Sequence, residues 1–495
     1  MSRLPREHLA EAAPGERADV DTYHSKGSHE EEKPHTVSST DPTGPDREPY
    51  NVDKQHRGLS LPDVNVDVMD EDEDAELMVQ RKKHRSRFRI WFEQVVPPGG
   101  FVASSFTLGS STLGAGILGL SAAFNSMGLV TALIVLVVVT VLTIFSLWLL
   151  ARCATITKVR TYEDVARALL GKGPDYVAAI FMLGFCLGGG VSYIISIGDL
   201  LTPIFDDPSV PSFLQTKPGN RLITSMVWLV FILPLCLPKN IDALRHISII
   251  GVIMVLFFVV CIVQDSCAHM RRDGWTKEVR MFNKGNSAIE GLGTVMFACL
   301  VQINAMEVYF EMANPTPRNM VRSSTAAMSG CGILYALTGV FGYARFGSSV
   351  TSSILLKYQP RESPQFWVAY FGIVVKICVA FALHQLPMRD GLYHFFSWNV
   401  YNMAWWKNAV ICGLIATVVL IIGLFVPSIN IVLGLVGSLC GGFIGFIFPA
   451  LMIMYSGNWT LAKIGWLEWS TTYLLLLTGV VAVVFGTAAS IYGVI

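Results

Sequence analysis

Charge is scarce over most of this chain. Beyond residue 93, 402 positions carry only 39 of the 74 Lys, Arg, Asp and Glu residues; residues 1–93 carry the other 35. Soluble domains are about one quarter charged, whereas this chain is 15% charged and 52% hydrophobic. An ordinary soluble enzyme, a nucleic-acid binder and a chain disordered throughout are therefore excluded. No CxxC pair or Cys/His cluster suggests a metal, and no residue pattern calls for a cofactor. Eight of the ten cysteines sit inside apolar runs, where they read as small core residues rather than a disulfide frame. The apolar–polar alternation of a membrane β-barrel is also missing, because the apolar runs are continuous. Finally, the N-terminus lacks the short charged-then-apolar pattern of a cleavable signal. The first apolar run begins near Phe101, so the first helix is expected to insert as its own signal.

What remains is an all-α polytopic membrane protein. A spanning helix needs about 20 mostly apolar residues. Eleven windows meet that need: 100–124, 128–150, 176–198, 221–237, 247–265, 287–311, 322–344, 365–387, 408–426, 428–454 and 469–493. Residues 1–95 form a polar tail, expected to be disordered because its composition cannot bury enough apolar area. The tail contains the acidic run Asp70–Asp74 and ends in a basic anchor that includes Arg81, Lys82, Lys83, Arg85, Arg87 and Arg89. Residues 96–495 form the transmembrane domain. With the N-terminus cytoplasmic, Lys and Arg number 18 inside against 10 outside, which sets that orientation and an extracellular C-terminus. The loop 266–286, with five basic residues on the outer side, runs against the bias and reads as a small cap. The sequon Asn458-Trp459-Thr460 then faces the cytoplasm and is expected to stay unmodified.

Two helices are unsuited to simple spans. The first reads Thr107-Leu108-Gly109-Ser110-Ser111-Thr112-Leu113-Gly114-Ala115-Gly116. Glycine costs a helix about 1 kcal/mol relative to alanine and lets a ligand approach the backbone. Unwinding at Gly114–Gly116 would point free amides into the bundle, at a half-helix N-terminus suited to a carboxylate; close packing by small residues is the bland alternative. The sixth helix carries Gln302, Asn304 and Glu307 within an apolar stretch that also holds Phe297 and Cys299. An unusual first and sixth helix is what a five-plus-five inverted repeat predicts, here over about 100–265 and 287–454, with 469–493 an extra helix. In that architecture discontinuous helices 1 and 6 form the site for a small zwitterion. The candidate substrate-binding residues are Ser111, Gly114, Ala115, Gly116, Phe297, Cys299, Gln302, Asn304 and Glu307.

Three motifs resemble those of the amino acid/auxin permease family. Gly114-Ala115-Gly116-Ile117-Leu118-Gly119-Leu120-Ser121 is similar to its G-S-G-I-L-G-L-S stretch. Tyr309-Phe310-Glu311-Met312-Ala313-Asn314-Pro315-Thr316, with Arg318 and Met320, is similar to its Y-T-E-L-x-N-P-S segment. Leu386-Pro387-Met388-Arg389 resembles its F-P-I-R. The long tail, the Ala-Ala-Phe-Asn at 122–125 and the Glu-Val-Tyr at 307–309 resemble the trypanosomatid branch most. The resemblance implies eleven helices, an inward N-terminus and amino acid transport, with no enzymatic activity.

Departures from the family bear on coupling. The sodium-coupled branch has Asn where this chain has Ser110, and Thr-x-Thr where it has Cys378-Val379-Ala380. Both changes remove oxygen ligands that a hard cation needs. Lys376 stands 11 residues from Gln365 and 11 from Pro387, near the bilayer centre. An unpaired charge there costs at least about 3 kcal/mol. Lys376 and Ser110 are therefore the candidate coupling residues. The ammonium could occupy the sodium region, carry the coupled proton, or form a structural pair with Glu307 or Glu290. Glu307 itself could favour a basic substrate, serve as a gate or neutralise Lys376. His384 reads as a helix-end or gating residue, and Tyr193 with Gly188–Gly190 as pocket wall and close packing.

The expected function is a multi-pass secondary transporter that moves an amino acid by alternating access in the plasma membrane. It is sodium-independent, with a proton as the candidate coupling ion for symport and a basic amino acid ahead of a neutral one. A sodium-coupled neutral amino acid symporter, an internal membrane and, in another class, an ion channel stay open as alternatives. Its expected partners are the amino acid, the coupled proton and the lipid bilayer, with no nucleic acid.

Overall fold

The structure is a computed structural model. It describes residue 97 and residues 99–493, apart from gaps at 207, 209, 239–241, 275, 277, 284, 351, 361–363, 397–402 and 458. The expected tail over 1–95, its acidic and basic runs, and Asn458 lie outside the described residues. Among the described residues all regular structure is helical. The helices longer than one turn are α1 (Phe101–Thr112), α2 (Gly116–Met127), α3 (Leu129–Thr157), α4 (Tyr162–Leu170), α5 (Pro174–Phe205), α6 (Lys217–Cys236), α7 (Asp242–Asp273), α8 (Asn286–Cys299), α9 (Gln302–Glu311), α10 (Pro317–Phe346), α11 (Gln365–Phe396), α12 (Trp405–Phe425), α13 (Ile429–Tyr455) and α14 (Trp466–Tyr492). Ten spans, or eleven when the bent pair α1–α2 counts as one, are long and apolar enough to cross a membrane. Each expected window finds its helix. Two short ones, at 221–237 and 247–265, lie largely within the longer α6 and α7.

Burial sorts the helices into a centre and a rim. In the span that joins α8 and α9, 78% of the window is buried, and in α5 and α13 72%, against 28% in α6 and 33% in α12 and α14. Lipid is as apolar as leucine, so membrane helices are drawn together by close packing rather than by water exclusion. The central helices accordingly meet rim helices at glycines. A Cβ on Gly190 of α5 would stand 2.8 Å from Val419 of α12, and one on Gly442 of α13 would stand 2.6 Å from Val483 of α14.

Main-chain ties close both ends of the bundle. At one end, Ala313 N donates to Gly99 O (3.0 Å). The Tyr309 hydroxyl donates to Pro315 O (2.9 Å) and pairs with the Thr155 hydroxyl (2.8 Å). Gly99 has φ +73°, and a Cβ there would meet Glu311 O at 2.5 Å, so the crossing requires glycine. At the other end the segment after α7 crosses the helix tips. Leu129 N donates to Arg280 O (2.9 Å), Val130 N to Met281 O (2.9 Å), and Asn283 N to Met127 O (3.1 Å). The cap expected over 266–286 is thus helical up to Asp273, and the remainder lies across α2, α3 and α10.

The connection from α3 to α5 holds a short amphipathic helix, α4, that the apolar windows did not reveal. Thr161 caps it, its hydroxyl accepting from Asp164 N (3.1 Å). One face lies on α13. There the π-helical turn Phe443–Ile447 leaves carbonyls for side-chain donors: Tyr162 Oη donates to Ile444 O (2.7 Å), and Ser146 Oγ of α3 to Gly445 O (2.5 Å). Glu163 is buried on the same face, 8% exposed. Burial pushes its carboxyl up to about 7, and the nearby Asp164 and Asp390 charges push the same way, against the opposing pull of its own backbone hydrogen bond.

The sign follows from proton binding. The folded state holds a proton on Glu163 that the unfolded chain has lost, so stability is full below the unfolded value and falls as pH rises through about 7. At about 1.4 kcal/mol per unit, the ionised carboxylate costs on the order of 3 kcal/mol. Thermal unfolding in detergent is expected to show the melting temperature falling between pH 5 and pH 8 for the wild type, and far less for Glu163→Gln. Parallel profiles would contradict this account of α4.

Candidate functional site

The first span breaks where glycine and small hydroxyl residues crowd it. Helix α1 ends at Thr112; Leu113 leaves helical geometry (φ −72°, ψ 87°), and the axis resumes in α2 after a 61° bend. Leu113 N donates to Gly109 O (3.0 Å) and Leu118 N to Ala115 O (3.1 Å). Helix geometry leaves the first amides of α2 without intrahelical acceptors. The sixth span breaks at Leu300 (φ −77°, ψ 120°) and Val301 (φ −133°, ψ 0°), with α8 before and α9 after. Both expected discontinuities are present.

The two breaks abut. A Cβ on Gly116 would stand 2.6 Å from both Cα and Cβ of Ala298, so only glycine permits this approach. A helix end buried in an apolar bundle must find partners for its free carbonyls. One side chain serves both ends: the Tyr335 hydroxyl of α10, fully buried, is shared between Thr112 O (2.7 Å) and Ala298 O (2.9 Å). It closes α1 and α8 with a single three-centre bond. Tyr335 was not among the expected site residues, since an aromatic residue in an apolar helix carries no sequence signal for this role.

Gln302 satisfies the other orphan at the sixth break. Its Oε1 accepts from Val301 N (3.0 Å), and its Nε2 donates to Ser146 Oγ (3.2 Å) and Gly445 O (3.4 Å). The side chain, fully buried, is committed to the scaffold of α3 and α13. Cys299 lies 4.0 Å from the Thr140 hydroxyl of α3. Phe297 stacks on Phe185 of α5 (4.8 Å), Phe185 in turn lies beside His384 (6.1 Å), and Tyr193 meets His384 edge-on (5.3 Å). His384 is therefore buried against the core aromatics rather than at a helix end. Its Nδ1 lies 3.1 Å from Ala380 O, so the proton sits on Nδ1, because a carbonyl only accepts. Ser111 and Asn304 are half-buried, and Glu307 is exposed on α9.

Lys376 of α11 reaches the end of α1. The residue is 3% exposed; its ammonium donates to Ser110 O (2.9 Å) and Ser110 Oγ (3.3 Å), and Ser110 Oγ lies 2.5 Å from Ser248 Oγ of α7. A cation at a helix C-terminus complements the partial negative charge of the free carbonyls. Gly251 makes room for the lysine stem, since a Cβ there would stand 2.8 Å from Lys376 Cδ. No ion pair joins Lys376 to Glu307 or Glu290 among the described residues.

The break and the lysine share one cavity, bounded by Gly114, Ile117, Tyr193, Phe258, Ile373 and Lys376 among others. Its volume is about 10 Å³, the room of roughly one water molecule. Tyr193 lines this cavity: its hydroxyl lies against Gly114, where a Cβ would collide with it. The structure thus brings Gly114, Ala115, Gly116, Ser110 and Lys376 together. The cavity lies between α2 and helices α5, α7 and α11, whereas the sixth break packs directly on the first. Phe297, Cys299, Gln302, Asn304 and Glu307 do not bound the cavity.

Comparison with known proteins gives a consistent picture. Residues 97–492 match the family described as transmembrane amino acid transporter protein. The chain is 28% identical over 411 residues to sodium-coupled neutral amino acid transporter 7 of Xenopus laevis, covering 79% of this chain and 87% of that one. It is 25% identical over 416 residues to amino acid transporter AVT6E of Arabidopsis thaliana, covering 79% and 83%. It is 27% identical over 369 residues to vacuolar amino acid transporter 5 of Schizosaccharomyces pombe, covering 72% and 84%.

Tyr335→Phe removes one hydroxyl and leaves two buried carbonyls without it. The expected cost is about 1–3 kcal/mol, read as a lower melting temperature in detergent. An unchanged melting temperature would mean that the shared bond does not hold the two breaks.

Proposed function

The chain belongs to the transmembrane amino acid transporter family, and on that premise we propose a sodium-independent carrier of neutral amino acids that works by alternating access. One observation carries the proposal: Gly114 at the first break, Ile117 and Leu118 in the first turn of α2, and Lys376, whose ammonium is bonded to the end of α1, bound the same small cavity. The substrate carboxylate binds at the N-terminus of α2, where free amides and the helix dipole favour an anion. The substrate ammonium takes the carbonyl-rich helix ends that Tyr335 now holds. The walls from Ile117, Phe258 and Ile373 suit an apolar side chain. Glu307, the residue that pointed to a basic substrate, is exposed and outside the cavity, which supports a neutral one.

A cavity of about 10 Å³ holds no amino acid. Binding therefore requires α2, Tyr193 or Lys376 to move, and the ties at the two ends of the bundle are the contacts that opening must break. Two five-helix halves, 100–265 and 287–454, rocking against each other would break one set at a time, which is the motion of an inverted repeat. The excess of Lys and Arg in one set of loops supports a cytoplasmic N-terminus. The plasma membrane is the proposed location. The name of the fission yeast relative makes an internal membrane the alternative.

The ammonium of Lys376 takes the position proposed for a hard cation, with Ser110 O and Ser110 Oγ around it and Ser248 Oγ bonded to the Ser110 hydroxyl. This supports uptake without sodium, with Lys376 giving up and regaining the coupled proton. The competing reading is sodium symport with the lysine swung away. It draws on the printed name of the Xenopus laevis relative.

Uptake into proteoliposomes, measured with a sodium gradient, a proton gradient and neither, separates these readings. The wild type is expected to accumulate neutral amino acids with the proton gradient alone. Lys376→Met is expected to lower uptake about tenfold or more, equivalent to about 1.4 kcal/mol or more of lost stabilisation, and to remove its pH dependence. Uptake of Lys376→Met with unchanged rate and pH dependence would refute the coupling role. Preferred uptake of arginine or lysine would refute the neutral substrate.

A further inference from the structure

A second cavity, of about 600 Å³, opens between α3 and α14, far larger than the one at the break. Phe145 and Trp148 of α3 bound it on one side, and Trp466, Leu467, Glu468 and Thr471 of α14 on the other. Trp466 and Leu467 are 65% and 73% exposed. The groove lies at the end of the bundle where Tyr309 pairs with Thr155, because Arg152 stands one turn before that threonine. Tryptophans at a helix end mark the depth at which headgroups meet acyl chains.

One ion pair forms the polar edge of the groove. Arg152 of α3 donates to Glu468 in the first turn of α14, with side-chain exposures of 32% and 18%. The guanidinium lies over Trp148, 4.8 Å from its centroid, and Trp148 packs on Phe145 (5.5 Å). A guanidinium has five N–H donors and a carboxylate two oxygens, so the single bond between them leaves capacity on both. A phosphate completes the guanidinium, and an ammonium with N–H donors completes the carboxylate.

We propose that this groove binds a zwitterionic phospholipid of the ethanolamine class, its phosphate on Arg152, its ammonium on Glu468 and its acyl chains along Phe145, Trp466 and Leu467. Charge complementarity selects this occupant. The edge of the groove carries one charge of each sign, as does the headgroup. An anionic glycerol headgroup would face the Glu468 carboxylate with no cation to offer it. A choline headgroup has no N–H to donate. The lipid would fasten the extra helix α14 to the bundle through α3, whose inner residues Ser146 and Thr155 serve the sixth span.

Native mass spectrometry of the full-length protein, titrated with phosphatidylethanolamine, phosphatidylcholine and phosphatidylglycerol, tests the assignment. The wild type is expected to retain phosphatidylethanolamine under activation that strips the other two. Glu468→Gln is expected to lower that retention by about tenfold, the effect of losing one charge-assisted bond. Thr471→Phe fills the groove but leaves the ion pair intact, so it carries the test even where Glu468→Gln folds poorly; it should lower retention similarly. Equal retention of the three lipids, preference for choline or glycerol, or retention unchanged in Thr471→Phe would each overturn the proposal.

Discussion

A peptide group without a partner is expensive in the middle of a membrane, where no water reaches it. This protein breaks two of its spans there, and much of the surrounding architecture answers that cost. Tyr335 closes the carbonyl ends of α1 and α8 together. Gln302 closes the amide of Val301 and fastens the repair to α3 and α13. Lys376 closes Ser110 from the far side of the bundle. Three side chains from three helices thus hold the backbone groups that a carrier must be able to release.

The same economy suggests how a solute could enter. Tyr335 holds the carbonyl ends of α1 and α8, and Gln302 holds the Val301 amide. In the proposed cycle a zwitterion would exchange for the Tyr335 hydroxyl at those carbonyls, which would keep the buried polar groups partnered. The proposed opening would have to break the ties at the bundle ends, where Ala313 ties to Gly99 and Leu129 ties to Arg280. These are few bonds, on main-chain atoms near the surface, and they suit a gate better than a core.

Much of this was legible in the sequence, for identifiable reasons. Long apolar runs have few alternatives to a spanning helix, so the eleven windows found their helices. Glycine crowding at Gly114 and Gly116 weakens a helix wherever it occurs, and polar Gln302 and Asn304 in an apolar run mark a backbone in need of help, so both breaks were readable. The recipient of that help was not. Gln302 reads equally as a ligand for substrate or for its own scaffold, and only the positions of Ser146 and Gly445 decide. Tyr335 sits in an apolar helix and announces nothing. Glu307 drew attention as a charge in an apolar run, but the face it occupies depends on the end of α9. Helix α4 escaped because its apolar stripe is too short for a hydropathy window, although Thr161 and Asp164 carry its cap.

The central claim is that backbone groups at the two breaks, amides at the start of α2 and carbonyls at the ends of α1 and α8, receive the amino acid. Hydrogen–deuterium exchange on the detergent-solubilised protein, with and without a saturating transported amino acid, reads those amides directly. The account predicts slower exchange on ligand addition concentrated in the peptides covering residues 113–118 and 299–304. Unchanged exchange in both peptides, at a concentration that saturates uptake, would contradict it.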